Sequence, residues 1–315
     1  MKYKFYFLFA TILSITSCNN NEISVTSESD NPLRYNEEVF SNTTITNNVV
    51  YGSSITLGGV TTPLLLDIYE PKEDTHTNRP LLVLAHGGSF IGGNKNDLSS
   101  FATYLAKSGY VVASISYRLL DSNSTDTNLK KVVINAVTDM KAAVRFFNKD
   151  KETINTYKIN ASNIFIGGYS AGAITALHYA YLNNEQELIS IGGNTFLEYV
   201  NNQGGLEGIS GNPNYSSTIK GVINISGALF KANFVNVGEP ILYSIHGTND
   251  NVIPYNQGVI GGTNLLVEGS GLIHPQATNS GIVNKLKTIQ NGNHGAFISC
   301  AECMSETRAF LFRNL

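Results

Sequence analysis

Tryptophan is absent from this chain, and charged residues account for only 14% of its 315 positions. The formal net charge is −3, so the chain has no excess of basic residues of the kind that binds nucleic acid, and we expect no nucleic-acid partner. An extended hydrophobic span occurs near the N-terminus and nowhere else. The hydrophobic fraction of 42% is still enough to fill the core of one large domain, which we expect over residues 47–315.

Cysteine is also scarce, with three residues in the whole chain. Cys300 and Cys303 form a C-x-x-C pair near the C-terminus, but a zinc site would need a second pair of ligands, so we expect no metal. A thioredoxin-like redox motif would stand near the start of its fold instead. In an exported protein the pair could form a local disulfide, and two reduced thiols are the alternative.

The first residues have the order of an export signal. Lys2 and Lys4 give a charged start, residues 5–15 are mostly apolar, and small residues follow. The apolar stretch is too short to stay in a bilayer as a permanent helix, so it predicts a signal peptide over residues 1–17. Residues 18–46 are rich in Asn, Ser, Thr and Glu, and this composition predicts a flexible tether.

The stretch Ile15-Thr16-Ser17-Cys18 resembles a bacterial lipobox. The resemblance implies that Cys18 becomes the lipidated first residue of the mature protein, which would hold the chain to a membrane of the bacterial cell envelope. The alternative is an ordinary signal peptide that is cut elsewhere, which would give a secreted protein.

The strongest motif lies in the middle of the chain, where the apolar run IFIGGY leads into G-x-S-x-G at residues 168–172 and then into a helical pattern. A strand, this motif and a helix in that order predict a nucleophile elbow, a turn so sharp that only small residues fit beside its serine. Ser170 is the predicted nucleophile. The backbone N–H of the next residue, Ala171, would point at the oxygen that becomes negative during the reaction.

Apolar runs typical of buried strands alternate with helical patterns along the domain. Strands are predicted at 49–57, 64–69, 80–85, 111–115, 164–166, 220–225, 240–245 and 282–289, and helices at 98–107, 128–148, 171–182 and 301–315. This alternation predicts an α/β fold with a mostly parallel central sheet and helices on both faces. Residues 183–219 interrupt the rhythm with glycine-rich breaks and predict a small cap or a long loop over the sheet edge.

A second glycine motif, HGGSF at residues 86–90, follows the third predicted strand. Acyl transfer needs hydrogen-bond donors aimed at the carbonyl oxygen as it becomes negative, and backbone N–H groups can supply them where the chain passes close to the substrate. Gly87 and Gly88 allow that close approach. The motif therefore predicts an oxyanion loop.

The acid and the base that activate a serine at such an elbow follow it along the chain, in the order Ser, Asp or Glu, His. Asp250 lies in a loop after the predicted strand at 240–245. His294 lies in a loop after the predicted strand at 282–289. Because the carboxyl ends of parallel strands meet at one edge of a sheet, we expect His294 to take the proton of Ser170 and Asp250 to orient the imidazole.

Other polar residues are weaker candidates for this chemistry. His246 and His86 stand beside the predicted catalytic loops and are expected to brace them. His274 lies in a polar stretch that is predicted to be a loop and has no strand before it. His178 and Asp139 fall on helical patterns, and we expect them to have structural roles there, as a packed side chain or as a polar contact.

Four motifs together resemble the α/β-hydrolase superfamily, and within it the carboxylesterases and hormone-sensitive-lipase-like esterases. They are HGG at 86–88, GYSAG at 168–172, HGT-x-D-x-x-IP at 246–254 and G-x-H at 292–294. The resemblance covers about residues 47–315 and implies ester hydrolysis without a cofactor. It also implies that Gly88 and Ser89 donate to the oxyanion from the loop, with Ala171 as the third donor. Many of these esterases have a third glycine where this chain has Ser89, which narrows the space beside the acyl carbonyl.

The sequence therefore predicts a lipid-anchored serine hydrolase that cleaves carboxylic esters through an acyl-enzyme. A small-molecule ester and an ester linked to a polysaccharide both fit this prediction as substrates. One alternative is a serine peptidase of the prolyl-oligopeptidase kind, which usually carries a large extra domain. The other is a hydrolase-like surface binding module without activity, in which a member of the triad would be missing.

Overall fold

The computed structural model describes residues 1–2 and 31–315. The predicted lipidation site Cys18, the rest of the predicted signal peptide and the first part of the predicted tether lie outside the described residues. In the ranges that are described, no helix is both long enough and apolar enough to cross a membrane.

Within the described residues the chain forms eleven strands and six α-helices. The strands are β1 (Thr43–Ile55), β2 (Thr61–Pro71), β3 (Arg79–Ala85), β4 (Val111–Ile115), β5 (Ile159–Tyr169), β6 (Gly221–Ile225), β7 (Ala228–Leu229), β8 (Ile241–Gly247), β9 (Gln257–Val259), β10 (Leu266–Gly269) and β11 (Asn284–Ile289). The helices are α1 (Ser99–Ala106), α2 (Asp126–Glu152), α3 (Ala171–Tyr181), α4 (Glu185–Asn202), α5 (Ser270–Asn279) and α6 (Cys303–Arg313).

Eight of the strands form one sheet in the order β1-β2-β4-β3-β5-β6-β8-β11. β2 is antiparallel to both of its neighbours, and every neighbouring pair from β4 to β11 is parallel. The short strands β7, β10 and β9 form a separate antiparallel sheet. The predicted α/β fold with a mostly parallel central sheet is confirmed.

Helices cover both faces of the large sheet because its central strands are apolar on both sides. β3, β4 and β6 are buried along their whole length. One hydrophobic cluster joins the sheet to α2 and α3, and a second cluster joins the opposite face to α1 and α6. The carboxyl ends of the parallel strands therefore lie at one edge between two helix layers, and the loops with the predicted site residues follow those strand ends.

The folded domain begins earlier than the sequence predicted. Residues 31–46, which were expected to belong to the flexible tether, include the start of β1. Arg34 is buried, and its guanidinium forms an ion pair with the carboxylate of Asp74 at 2.6 Å. The ring of Phe40 is buried as well. The stretch is polar in composition, but these side chains hold it against the domain, together with backbone hydrogen bonds such as that from the Tyr35 N–H to the Ser108 carbonyl at 2.7 Å.

The insertion at residues 183–219 lies away from the place predicted for it. Its helix α4 packs against α2, and the Ser210 carbonyl in the following loop accepts a hydrogen bond from the Ser53 N–H at 2.9 Å. None of the described residues that line the cavity beside Ser170 comes from this insertion. A chain segment that includes the hairpin β9–β10, which no sequence motif predicted, borders that cavity instead.

His274 lies in helix α5 and not in the polar loop that the sequence predicted. The neighbouring residues Ile273 and Ala277 are fully buried, and this burial stabilises a short helix in spite of the internal Pro275. The His274 Nδ1–H donates to Asn284 Oδ1 at 2.8 Å, which ties α5 to the start of β11.

Candidate active site

The turn between β5 and α3 holds Ser170 in a strained backbone conformation. Its φ is 56° and its ψ is −119°, a combination that residues with side chains rarely adopt. A Cβ atom on Gly172 would lie 2.0 Å from the carbonyl oxygen of Ala85, and one on Gly168 would lie 2.5 Å from the same oxygen. The turn therefore needs glycine on both sides of the serine, which is the property of a nucleophile elbow.

Ser170, His294 and Asp250 are joined by hydrogen bonds. The distance from Ser170 Oγ to His294 Nε2 is 2.9 Å, and the distance from His294 Nδ1 to Asp250 Oδ2 is 2.7 Å. Since Nδ1–H donates to the carboxylate, Nε2 carries the lone pair that can accept the serine proton. The three side chains follow β5, β8 and β11 and meet at one edge of the sheet, in the arrangement that the sequence predicted.

Asp250 is surrounded by hydrogen-bond donors. Its Oδ1 accepts from the N–H groups of Val252 and Ile253, each at 2.9 Å. Burial alone would raise the pKa of Asp250, but the side chains of His246 and His294 and the two N–H groups outweigh it and hold the pKa well below its ordinary value. Asp250 is therefore ionised throughout the pH range in which a histidine can act as a base.

The loop of His294 is fastened to two strands by hydrogen bonds to its backbone. The Tyr169 hydroxyl and the Ser226 hydroxyl both donate to the His294 carbonyl oxygen, each at 3.2 Å. The rings of Tyr169 and His294 lie 5.2 Å apart. Sequence reasoning missed both supporting residues. Tyr169 stands inside the elbow motif, which could have pointed to it, whereas Ser226 has no signal in the sequence.

The loop after β3 contains three consecutive residues with positive φ. The values are 109° at Gly88, 55° at Ser89 and 63° at Phe90. The Leu120 N–H donates to the Phe90 carbonyl at 2.7 Å and supports this left-handed run. Within residues 31–315, the N–H groups of Gly88, Ser89 and Ala171 donate to no protein acceptor. All three residues predicted as oxyanion donors therefore have an N–H without an acceptor among the described residues.

His86 packs beneath this loop. Its Nδ1 lies 2.6 Å from the Gly87 carbonyl oxygen, and its ring stacks on Tyr117 with 4.4 Å between the ring centroids. The Tyr117 hydroxyl donates to the His86 carbonyl at 2.8 Å. Burial lowers the pKa of His86, so the ring is held neutral. These contacts fit the bracing role that the sequence predicted for this histidine.

His246 is fully buried within the loop that carries the acid. Its Nε2 lies 3.1 Å from the Ile253 carbonyl oxygen and 3.2 Å from Asp250 Oδ2. On the other side of the ring, Nδ1 lies 2.9 Å from Ser270 Oγ. Because Nε2–H faces two acceptors, Nδ1 accepts a hydrogen bond from the Ser270 hydroxyl. The ring thus connects the acid's loop to α5.

His178 and Asp139 make structural contacts in the helices. His178 Nδ1–H donates to the Ile174 carbonyl at 2.8 Å, and its Nε2 accepts from the Phe230 N–H at 3.1 Å. Burial lowers the pKa of His178 to about 4. Asp139 forms a buried ion pair with Arg118 at 2.7 Å. Both residues therefore fit the structural roles expected of them.

A small cavity of about 50 Å³ opens beside Ser170, on the side of α2 and α3. Ser89 and Ala171 also border it, so it adjoins two of the predicted oxyanion donors. The rest of its lining is mostly apolar and comes from Phe90, Leu129, Val133, Ile174, Phe230, Val252, Ile253, Ile260, Gly261, Thr263, Leu265 and Val267. An apolar group of limited size fits this space best.

Cys300 and Cys303 are joined by a disulfide between the loop of His294 and helix α6.

In the described part of the chain, no group of three or more His, Cys, Asp or Glu side chains is arranged to hold a metal ion.

The fold and the elbow define the chain as an α/β hydrolase. The profile of the BD-FAE family matches residues 66–229, which is just over half of the chain, and the chain belongs to this esterase-like family. The matched range contains the oxyanion loop and Ser170. It ends before Asp250 and His294, which lie in the part of the domain outside the match.

Solved structures with the same fold include esterases. A truncated form of a carbohydrate esterase from gut microbiota has a TM-score of 0.64 and 20% sequence identity, with 87% of this chain and 96% of that chain covered. Thermogutta terrifontis esterase 2, phosphoramylated by tabun, has a TM-score of 0.62 and 17% identity, with 87% and 95% covered. At these identities the likeness shows a shared fold.

A curated relative is Esterase P of Drosophila melanogaster, which is 27% identical over 147 residues. The match covers 45% of this chain and 26% of Esterase P, so the chain spans about a quarter of that relative's length.

Proposed function

We propose that the protein hydrolyses carboxylic esters through an acyl-enzyme on Ser170. The observation that carries the proposal is the hydrogen-bonded series from Ser170 Oγ through His294 to Asp250. The backbone N–H groups of Gly88, Ser89 and Ala171, which have no acceptor within residues 31–315, support it. Membership of the BD-FAE family supports the same chemistry. No cofactor is needed for it.

In the first half of the reaction, Ser170 Oγ attacks the ester carbonyl carbon while its proton passes to His294 Nε2. The carbonyl oxygen becomes an oxyanion and accepts hydrogen bonds from the N–H groups of Gly88, Ser89 and Ala171. The imidazolium is stabilised by Asp250. When the tetrahedral intermediate collapses, the bond to the alcohol oxygen breaks, that oxygen takes the proton from His294 Nε2, and the acyl group stays on Ser170.

In the second half, water takes the place of the alcohol. His294 Nε2 accepts a proton from the water as its oxygen attacks the acyl carbon, and the same N–H groups receive the second oxyanion. Collapse breaks the bond to Ser170 Oγ and returns the proton from His294 to the serine. The carboxylic acid leaves and the free enzyme is restored.

The substrate could be a small-molecule ester or an ester carried on a polysaccharide. A structural neighbour is described as a carbohydrate esterase, which supports the second class. The cavity beside Ser170 is small and apolar, which favours a short, uncharged acyl group in either case.

We also propose that the mature protein starts at Cys18 and is held to a membrane of the bacterial cell envelope by lipid. Support comes from the charged start, the apolar stretch at 5–15 and the small residues before Cys18. The test is Cys18→Ala with cell fractionation and metabolic lipid labelling. If the wild-type protein is found in the soluble fraction without a lipid label, the proposal is wrong and the protein is a secreted esterase.

The activity is tested with esters of graded acyl length beside an aminoacyl amide, for the wild type and for Ser170→Ala. We expect ester hydrolysis by the wild type, a loss on the order of 10⁴-fold or more in Ser170→Ala, and little cleavage of the amide. Ser305, an exposed serine on α6, gives the matched control Ser305→Ala, which should keep full activity. Retention of half the activity by Ser170→Ala would refute the proposal, and preferential cleavage of the amide would favour a peptidase.

A further inference from the structure

Two spaces of different character lie near Ser170. The apolar cavity on the side of α2 and α3 has a volume of about 50 Å³. A groove of about 490 Å³ lies on the opposite side, between the oxyanion loop, α1 and the chain after His294. The groove is bordered by Gly87, Gly88 and Tyr169. A Cβ atom on Gly87 would lie 3.3 Å from Ser170 Cβ, so this border of the groove adjoins the nucleophile.

The groove is apolar along most of its lining. Phe297 packs edge to face on Phe101, with 5.9 Å between the ring centroids, and the disulfide residue Cys300 lines the wall on the same side. Ile298 also borders the groove, although 80% of its surface is exposed. Among the residues that the structure describes, Asp97 is the one acidic residue on the groove's border, and its carboxylate would repel an anion.

The mechanism requires the alcohol part and the acyl part of the ester to lie on different sides of Ser170. The alcohol oxygen must lie close to His294 Nε2, because it takes its proton from there. The acyl carbon is bonded to Ser170 Oγ, so the acyl chain has to leave in a different direction. Phe297 and Ile298 follow His294 within four residues of the same loop and line the groove. The cavity is lined instead by Ser170 and Ala171 themselves.

We propose that the groove binds the alcohol part of the ester, that Phe297 and Ile298 favour bulky, apolar alcohols, and that Asp97 disfavours anionic ones. The assignment rests on the proposed ester hydrolysis and adds which space holds which half of the substrate. It favours a small-molecule ester with an apolar alcohol over an ester of a polysaccharide. The small cavity then holds the acyl group and limits its size more strictly than the groove limits the size of the alcohol.

The test compares two esters with the same acyl group, 2-naphthyl butyrate and methyl butyrate. For the double variant Phe297→Ala/Ile298→Ala, we expect the ratio of kcat/KM for the naphthyl ester to that for the methyl ester to fall about tenfold, which corresponds to about 1.4 kcal/mol of lost binding in the transition state. Ile298→Ala alone removes an exposed side chain without touching the core and should lower the ratio by a smaller factor. Ile154→Ala, at a residue that is 82% exposed and lies outside the groove, is the matched control and should leave the ratio unchanged.

The step affected separates this proposal from its alternatives. Both esters give the same butyryl-enzyme, which no longer contains the alcohol, so its hydrolysis should change by less than about twofold in the groove variants when it is followed by burst kinetics. A large change in this deacylation rate, or an unchanged ratio of the two esters, would overturn the assignment of the groove. A wild type that hydrolyses neither ester would overturn the proposed function itself.

Discussion

Residues 66–229, which match the family profile, and residues 230–315 contribute to the molecule in different ways. The first part supplies the fully buried strands β3, β4 and β6, the oxyanion loop and the nucleophile. The second part supplies the acid, the base and most of the apolar residues around the substrate spaces, and its last strand β11 is only half-buried. A close-packed framework thus holds one reactive atom, while a more exposed segment brings the groups that activate it.

One ion pair from each part can be compared. Arg118 and Asp139 in the first part are almost inaccessible to solvent, with 2% and 0% of their side chains exposed. Lys287 in the second part bridges to Glu306 at 2.8 Å, where 23% and 27% of the side chains are exposed. Since solvent screens the second pair and not the first, breaking the Arg118 pair should cost more stability than breaking the Lys287 pair.

The largest effect is expected for Asp250→Asn. The amide leaves the loop geometry almost unchanged but cannot stabilise the imidazolium, and esterase activity should fall on the order of 10⁴-fold. Glu302 is an exposed carboxylate in the same C-terminal part of the chain as Asp250. Glu302→Gln is the matched control and should keep full activity. An active Asp250→Asn enzyme would remove Asp250 from the mechanism.

A smaller but still large effect is expected in the first part, this time on folding. Arg118→Met leaves the Asp139 carboxylate buried without its partner, and the free energy of unfolding should fall by about 3–5 kcal/mol. Denaturant titration measures it. Adding Asp139→Asn removes the uncompensated charge and should recover part of the loss. If the double variant is less stable than the single one, charge burial is the wrong explanation.

His178 joins the two parts, because it lies on α3 and accepts a hydrogen bond from the Phe230 N–H. Its pKa is lowered by burial to about 4, whereas an unfolded histidine titrates near 6.5. The unfolded chain therefore gains a proton first as the pH falls, and stability is lost between about pH 6.5 and 4, by on the order of 3 kcal/mol.

The measurement for His178 is the free energy of unfolding from pH 7 to pH 4.5, for the wild type and for His178→Gln. The variant should be less stable at pH 7 because a buried contact is altered, but its stability should depend less on pH, so the two curves should approach each other in acid. Parallel curves would show that another group controls the acid sensitivity.

The smallest effect is expected at the partly exposed pair of the second part, Lys287 and Glu306. Lys287→Met removes this bridge and should change the free energy of unfolding by less than about 1 kcal/mol, because both charges are also well solvated when they are apart. The difference from the wild type should shrink further in high salt. A loss as large as that of Arg118→Met would contradict the contrast between the two parts.

The sequence predicted most of the large sheet because its strands are continuous apolar runs, and it predicted the elbow because the turn requires glycine at 168 and 172 for contact reasons. Ser170, Asp250 and His294 were predicted to lie together because each follows a strand of one parallel sheet. At these residues the local sequence pattern agrees with the position in the folded sheet, so the sequence motifs were enough to predict where the residues lie.

The errors lie where tertiary contacts override local composition. Residues 31–46 are polar, yet buried Arg34 and Phe40 fix them. The hairpin β9–β10 is short and half exposed, so it leaves no clear alternation in the sequence. Tyr169 and Ser226 support His294 through its backbone carbonyl. Every residue type has such a carbonyl, so this contact leaves no pattern in the sequence.

The order of strands in the large sheet has a consequence for the newly made chain. From β5 the sheet continues as β6, β8 and β11, so each later strand is added outside the one before it. During synthesis the nucleophile and the oxyanion loop emerge first, and the base arrives with the last strand. A nascent chain that has not yet docked β11 holds a serine without its base. The proposed hydrolysis therefore switches on only when the sheet is complete, and its appearance during refolding would time the docking of β11.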